Sequence, residues 1–195
     1  MKAIFAIALY TNVIGDQNKL PWSHIKEDMK FFKETTLNTT LIMGRKTYES
    51  LPKHLPDRKI AVLTSDTSIQ YPDCVMLHTL DEVLEFAKQE EDAGQKVFVT
   101  GGKQIYNLLL PYCDEIYVTH ITTKDGSIIT GDTAMDIEVL YNIYANPYKI
   151  LDRFVSDNGY RGTFAKYTRC KNCDDNNELK EKCLWKITKR KMNYY

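Results

Sequence analysis

Short apolar runs rich in β-branched residues alternate along this chain with stretches whose apolar positions recur every three or four residues. That alternation predicts an α/β sheet with helices packed on it. The first run, about Ala3 to Tyr10, reads as a buried strand and leads through a loop to Pro21-Trp22. A helix is predicted from about Ile25 to Thr35, then a strand over Thr40-Leu41-Ile42-Met43 that runs directly into Gly44 and a helix over Arg45 to Leu51. Lys59 to Leu63 and Val75-Met76-Leu77 are further strands. Leu80 opens a helix through Lys88, with Asp81, Glu82 and Glu85 toward water and Val83, Leu84 and Ala87 turned inward. Lys96 to Thr100 is a strand, Gly101-Gly102 a turn, Gln104 to Leu110 a helix stopped by Pro111, and Glu115 to Ile121 a strand.

Beyond Thr122 the pattern weakens, with Gly126, Gly131, Asn158-Gly159 and Gly162 marking turns. Thr163 to Thr168 and Leu184 to Thr188 both alternate like antiparallel strands, and the pattern alone does not choose which is the last strand of the sheet. At 195 residues, with no repeat, Pro-rich linker or low-complexity tract, the chain is expected to be one domain over 1–195. Twenty-six basic and 26 acidic residues leave no net charge, so nothing global favours nucleic acid or an acidic membrane, and any anion site must be local. The apolar stretch from Ile4 to Tyr10 is short and meets no small-residue cleavage site, so it reads as a strand rather than a signal peptide. No stretch approaches the length of a membrane span. Five cysteines, an odd and scattered number, read as reduced and hence cytoplasmic.

Asp28 is the most informative single residue. At a helical 100° per residue it falls about 60° from Ile25, on the flank of an apolar arc with Met29 and Phe32, between that arc and Phe31. An acid in the first helical turn ordinarily just answers the helix dipole. A carboxylate aimed at apolar surroundings instead calls for a ligand with matching donors, and two adjacent N–H groups on a heterocycle would satisfy both oxygens. A second constellation lies at three strand-to-helix junctions: Met43-Gly44-Arg45-Lys46-Thr47, Leu63-Thr64-Ser65, and Val99-Thr100-Gly101-Gly102-Lys103-Gln104. Ligands of open α/β sheets collect at such ends, and these suit a dinucleotide with an extra phosphate near Arg45, Lys46, Thr64 and Ser65, which favours NADPH over NADH. Each piece alone is ordinary turn or surface chemistry, and no G-x-G-x-x-G or Walker loop is present. Their order together carries the weight.

That order resembles the dihydrofolate reductase family. The residues concerned are Val13-Ile14-Gly15, Leu20-Pro21-Trp22, Asp28 with Phe31-Phe32-Lys33, Ile42 through Ser50, Leu55-Pro56, Arg58, Val99 through Gly102 with Ile105-Tyr106, Tyr117 through Ile121, and Gly131-Asp132-Thr133. The likeness covers roughly residues 1 to 135. It implies a single-domain fold with a central, mostly parallel sheet of about eight strands, an antiparallel C-terminal edge and flanking helices. It also implies NADPH-dependent reduction of dihydrofolate to tetrahydrofolate, with hydride passing from the nicotinamide C4 to the pterin C6 and a solvent-derived proton to N5.

On the resemblance, Asp28 binds the 2-amino and N3 groups of the pterin, assisted through water by Trp22 and Thr119, and Tyr106 lies near the reacting edge. Phe5, Met29 and Phe32 line the apolar walls. Arg58 pairs with the α-carboxylate of the glutamate tail, and Lys53 adds a weaker contact. Ile7, Ile14 and the mobile loop Gly15-Asp16 through Lys19-Leu20 surround the nicotinamide. Gly101-Gly102, a cis peptide in this family, lies at the pyrophosphate with Gln104, alongside Thr100, Lys103 and Ile105. Gly44, Arg45, Lys46 and Thr47 with Leu63, Thr64 and Ser65 take the phosphorylated ribose. Closure of the loop over 15–22 would be the gate.

The chain departs from the family in places. Ala134-Met135-Asp136 follows Gly-Asp-Thr where an aromatic and proline are usual, and Lys103 stands where a small residue is frequent. Cys170, Cys173 and Cys183 suggest half a zinc site, but only three sulfurs lie there and a plain hairpin loop is the expectation, so no metal is assigned. The partner is expected to be the small-molecule substrate alone, with the chain a monomer. The alternatives are a reductase of another pterin or pyrimidine intermediate on the same fold, or a non-catalytic nucleotide-binding module. Asp28 argues against the first, and neutral charge without a basic aromatic stripe argues against an RNA-binding form of the second.

Overall fold

Continuous apolar runs such as Leu41-Ile42-Met43 and Val97-Phe98-Val99 are buried at every position because they lie in the middle of a sheet covered on both faces. A computed structural model describes residues 1–51 and 55–169. In chain order its strands are β1 (Lys2–Ala8), β2 (Val13–Gly15), β3 (Thr39–Gly44), β4 (Arg58–Leu63), β5 (Val75–Leu77), β6 (Val97–Val99), β7 (Glu115–Thr123), β8 (Thr133–Ala134), β9 (Tyr148–Val155) and β10 (Tyr160–Thr168). The α-helices are α1 (Lys26–Thr36), α2 (Arg45–Glu49), α3 (Leu80–Asp92), α4 (Lys103–Leu109) and α5 (Ile137–Tyr144).

Eight strands form one sheet in the order β5-β4-β3-β6-β1-β7-β10-β9, and β2 pairs separately with β8. Every pairing from β5 to β7 is parallel, while β10 runs antiparallel to both β7 and β9. The mostly parallel sheet with an antiparallel C-terminal edge is therefore as expected. Alternation along β1 sends Ala3, Phe5 and Ile7 to one core cluster and Ile4 to another on the opposite face.

Three features go beyond the sequence reading or depart from it. The sequence left open which stretch is the last strand of the sheet; among the described residues it is Tyr160–Thr168, in register with β7 over nine positions from Tyr160↔Thr123 to Thr168↔Glu115. The competing stretch, Leu184 to Thr188, lies outside the described residues, as do Cys170, Cys173 and Cys183. The edge strand β9 and helix α5 were not read from sequence. β9 shows water most of its side chains and its pairing slips at Phe164/Ala165, so its alternation is broken. Finally, α1 is rolled relative to the expected face. Its Phe31 ring stacks on Phe164 of β10 at 4.2 Å, which centres the packed side on Asp28 and leaves Met29 41 % exposed.

The departure at Ala134-Met135-Asp136 resolves into ordinary structure. Thr133 and Ala134 pair with Gly15 and Val13, Met135 is buried, and Asp136 begins α5. Among the described residues no helix is long and apolar enough to cross a membrane.

Candidate functional site

The acid singled out in the sequence is buried. Asp28, in the first turn of α1, is 7 % exposed, and burial raises its pKa, with a hydrogen bond to the Thr119 side chain acting the other way. Thr119 reaches it because β1 and β7 are in register, Ala6 opposite Thr119, so the hydroxyl leaves the sheet on the face that α1 covers. Trp22, in the same core cluster as Ile25, is 7 % exposed, and its Nε1–H is buried with no partner among the described residues. A buried donor without an acceptor is uncommon and points to a water or ligand atom as its complement. The structure therefore brings together Asp28 and Thr119, a carboxylate and a hydroxyl that are both buried, and sets Trp22 in the core cluster of Ile25, the residue that precedes α1.

Phe5 and Tyr106 lie together, ring centroids 5.1 Å apart, and the Tyr106 hydroxyl donates to the Ile4 carbonyl at 2.9 Å. Burial pushes the Tyr106 phenol far up, so it stays protonated. Phe32 is half-buried, Met29 exposed. Ile7 has no accessible surface at all, so the structure places it in the core rather than on a cleft wall.

Arg58 is held by its own chain. Its Nε donates to the Thr36 hydroxyl at 3.0 Å, and its two terminal nitrogens donate to the carbonyls of Pro56 and Lys33 at 2.9 and 3.0 Å. Three of its five N–H groups are thereby committed, which fixes the planar fork and leaves two for a ligand. Lys53 lies outside the described residues.

The loop after β2 is a tight hairpin. Asp16 and Lys19 exchange backbone hydrogen bonds of 2.8 Å around Gln17 and Asn18, whose φ of 49° and 59° make a primed turn. Asp132 accepts from the Gln17 amide at 2.9 Å, and Leu20 is 48 % exposed beyond the turn. Ile14 and Gly15 are partly buried where β2 meets β8.

The three junctions converge at one edge of the sheet. The Gly101–Gly102 peptide is cis, as the resemblance implies, and the Gly44 amide donates to the Gly101 carbonyl at 2.7 Å. Gly101 has φ +104°, and a Cβ there would lie 2.8 Å from the Tyr106 ring, so no larger residue fits. Thr100 donates through its backbone to the Ile42 carbonyl, Ile105 is buried, and Gln104 is exposed. Lys103 pairs with Asp136 at 2.7 Å, an anchor within the protein that the sequence did not suggest.

At the second junction Arg45 pairs with Glu49 at 3.0 Å, and Glu49 accepts from the Tyr71 hydroxyl at 2.6 Å. Lys46 and Ser65 are exposed and Thr47 is half-buried. Leu63 and Thr64 are buried, and the Thr64 hydroxyl accepts from the Asp66 amide at 3.2 Å. The Asp66 carboxyl is pulled below the usual range by the Ser68 hydroxyl and amide, with Arg45 and His78 adding to the effect. His78, absent from the sequence-based candidates, thus belongs to this cluster. Its signal is visible only once β5 is seen to end beside β4. Among the described residues no group of three or more His, Cys, Asp or Glu side chains could hold a metal ion.

The fold thus offers a buried carboxylate on α1 beside β7 and, at the carboxyl ends of β3, β4 and β6, a row of cations, hydroxyls and glycine backbone suited to phosphates. The family model for dihydrofolate reductase matches residues 1–169. The dihydrofolate reductase of Bacillus subtilis is 40 % identical over 118 residues, 60 % of this chain and 67 % of that protein. That of Staphylococcus haemolyticus is 38 % identical over 109 residues, 56 % of this chain and 63 % of that protein, so the match spans a little under two thirds of it. A solved structure of the Enterococcus faecalis dihydrofolate reductase, in complex with NADP(H) and RAB-propyl, superposes with a TM-score of 0.70 at 31 % identity, covering 86 % of this chain and 95 % of that one. The chain belongs to the dihydrofolate reductase family.

Proposed function

We propose that this chain catalyses the NADPH-dependent reduction of dihydrofolate to tetrahydrofolate. The observation that carries the reading is Asp28, a buried carboxylate whose raised pKa reflects desolvation and whose neighbour is the Thr119 hydroxyl, together with the Trp22 Nε1–H, buried without a partner among the described residues. A buried acid left short of donors is costly, and a pterin edge with an exocyclic amino group beside a ring N–H repairs it on both oxygens. The donor set at the junctions fits a phosphorylated nicotinamide cofactor. Arg45 and Lys46 would meet the 2′-phosphate with the Thr64 and Ser65 hydroxyls, and Gly101-Gly102 with Gln104 would meet the pyrophosphate.

When bound, that cofactor supplies the hydride. The chain's own part is orientation and exclusion of water. Asp28 fixes the ring in plane, Trp22 and Thr119 hold a water or ligand atom at its side, and Phe5 with Tyr106 closes the apolar wall. Arg58, braced by Thr36, Pro56 and Lys33, presents two free N–H groups to the carboxylate of the glutamate tail. The Asp16–Lys19 hairpin, tethered by Asp132, shields the reacting edge while solvent provides the proton for N5. One family match running over residues 1–169 supports a single domain. Cys74 and Cys113, both free thiols, support a cytoplasmic setting.

The test is loss of NADPH absorbance on addition of dihydrofolate to the purified protein. Tight NADPH binding with no dihydrofolate-dependent oxidation would overturn the proposal in favour of a nucleotide-binding module.

A further inference from the structure

We infer that Asp136, gripped from α4 by Lys103 and Asn107, is a positioning residue for the Asp16–Lys19 hairpin, because by fixing β8 it fixes the strand on which that hairpin closes. The inference deepens the proposed reductase reading and takes from it the hairpin's part in shielding the reacting edge.

Lys103 and Asn107 stand four residues apart on α4, so their side chains leave the helix on one face. The Lys103 Nζ lies 2.7 Å from Asp136 Oδ1, and the Asn107 Nδ2 donates to Oδ2 at 2.6 Å. Each carboxylate oxygen thus has its own donor, and the two contacts, Lys103 foremost, hold the Asp136 carboxyl below the usual carboxylate range. The helix that supplies the grip is itself fixed. Leu109 has no accessible surface, Ile105 is buried, and the Tyr106 hydroxyl donates to the Ile4 carbonyl of the central strand β1 at 2.9 Å. The two positions noted above as departures from the family pattern, Lys103 and Asp136, therefore meet in one contact.

What the grip holds has little support of its own. β8 is two residues long, and it pairs with β2 only at Val13↔Ala134 and Gly15↔Thr133, with a slip between them. A two-stranded ribbon that short does not persist alone in water, so whatever fixes its ends fixes the ribbon. At one end Asp132 accepts from the Gln17 amide of the hairpin at 2.9 Å and from the Thr133 hydroxyl at 2.7 Å. At the other the Met135 amide donates to the Asn12 carbonyl at 2.9 Å, and Asp136 follows at once. A shift of β8 by one residue would turn Met135 out of the core and carry Asp132 away from Gln17. The Lys103 and Asp136 side chains are 37 % and 49 % exposed, so their pair adds little to global stability and acts on local opening of this ribbon.

Amide hydrogen exchange, read residue by residue by NMR on the full chain with and without NADPH, tests this on the parent, Lys103→Met, Asp136→Ala, the double variant and Lys103→Arg. The reporters are the Asp16, Gln17, Lys19 and Met135 amides, all hydrogen-bonded in the parent. They should exchange about threefold to fivefold faster in each single variant and no faster again in the double, while β1 and β7 keep parental rates. Lys103→Arg, which keeps the charge, should restore parental exchange. In the assay with NADPH and dihydrofolate, kcat should fall by the same factor in both single variants and the KM for dihydrofolate should hold. Parental exchange at the reporters in Lys103→Met and Asp136→Ala would show that Met135 alone fixes β8 and would overturn the inference, as would losses that add in the double variant. Weaker NADPH binding in Lys103→Met alone, with Asp136→Ala like the parent, would give the ammonium to the cofactor phosphates and overturn it too. If the parent oxidises no NADPH with dihydrofolate, the reductase reading fails, and the exchange rates still decide whether Asp136 positions the hairpin.

Discussion

Replacing Asp28 by Asn separates what the site costs from what it does. The substitution is nearly isosteric and keeps one acceptor oxygen, so the Thr119 hydroxyl retains a partner, and the helix and its Phe31 stack are untouched. In the absence of ligand, Asp28 is a carboxylate at 7 % exposure whose raised pKa records a charged form disfavoured by burial. A group whose folded-state pKa lies above its unfolded value adds stability below the unfolded value and subtracts it as pH rises through the folded one. The neutral amide removes that subtraction, which for a single desolvated charge is about 1–2 kcal/mol at neutral pH. For a chain of this size, each 1 kcal/mol moves Tm by about 2–4 °C. Catalysis moves the other way. Two charge-assisted hydrogen bonds to the pterin, at about 1.5–3 kcal/mol each, are replaced by one neutral acceptor and one clashing donor, so kcat/KM should fall by about 10²–10⁴. The assay pairs urea unfolding of the ligand-free proteins, across pH, with dihydrofolate-dependent NADPH oxidation. The variant should be the more stable protein at neutral pH, with its advantage vanishing toward pH ~4, and should still bind NADPH. A variant that is less stable at neutral pH, or that turns over at the parental rate, would show that Asp28 is a structural acid and not a strained ligand-binding one.

Gly101→Ala should cost about 2–4 kcal/mol and weaken NADPH, because the new Cβ falls 2.8 Å from the Tyr106 ring at φ +104°; an unchanged Tm would contradict the tightness of that approach. Arg58→Lys should raise KM for dihydrofolate about 10–100-fold with NADPH binding intact, since an ammonium cannot keep the Thr36, Pro56 and Lys33 contacts and also present a fork. Equal loss for both ligands would place Arg58 elsewhere in the mechanism. His120 is buried against Tyr167 with its pKa lowered to about 4 by desolvation. Between the unfolded value near ~6.5 and about 4 the unfolded chain binds a proton that the folded chain refuses, so stability should drop by about 1.4 kcal/mol per pH unit, roughly 3 kcal/mol in all. Urea midpoints that stay flat over that window in the parent, or slope equally in His120→Gln, would remove His120 as the cause.

Much of the fold was legible because the parallel strands advertise themselves. β3, β4 and β6 are buried on both faces, so their apolar runs are unbroken and end on Gly44, Leu63-Thr64 and Gly101-Gly102, the points where the cofactor groups are expected. Asp28 was legible for a similar reason, as a charge at a phase of the helix where charge is expensive. The edge of the sheet was not. β9 has one neighbour, so nothing forces regular alternation on it, and its bulge against β10 breaks the period that a reader of sequence relies on.

The chemistry was determined by local sequence to the extent that residue type and helical or strand phase decide which way a side chain faces. What only the tertiary structure decided are the relations between distant segments. Phe164 rolls α1 so that Asp28 is centred and Met29 turned out; Lys103 is anchored on Asp136; Arg58 is braced from Lys33, Thr36 and Pro56; and His78 is set against the Thr64 carbonyl. The physical reason is that phase along one element is a property of its own backbone geometry. Register, roll and the second partner of a hydrogen bond depend on which other element arrives beside it, and no local pattern carries that information.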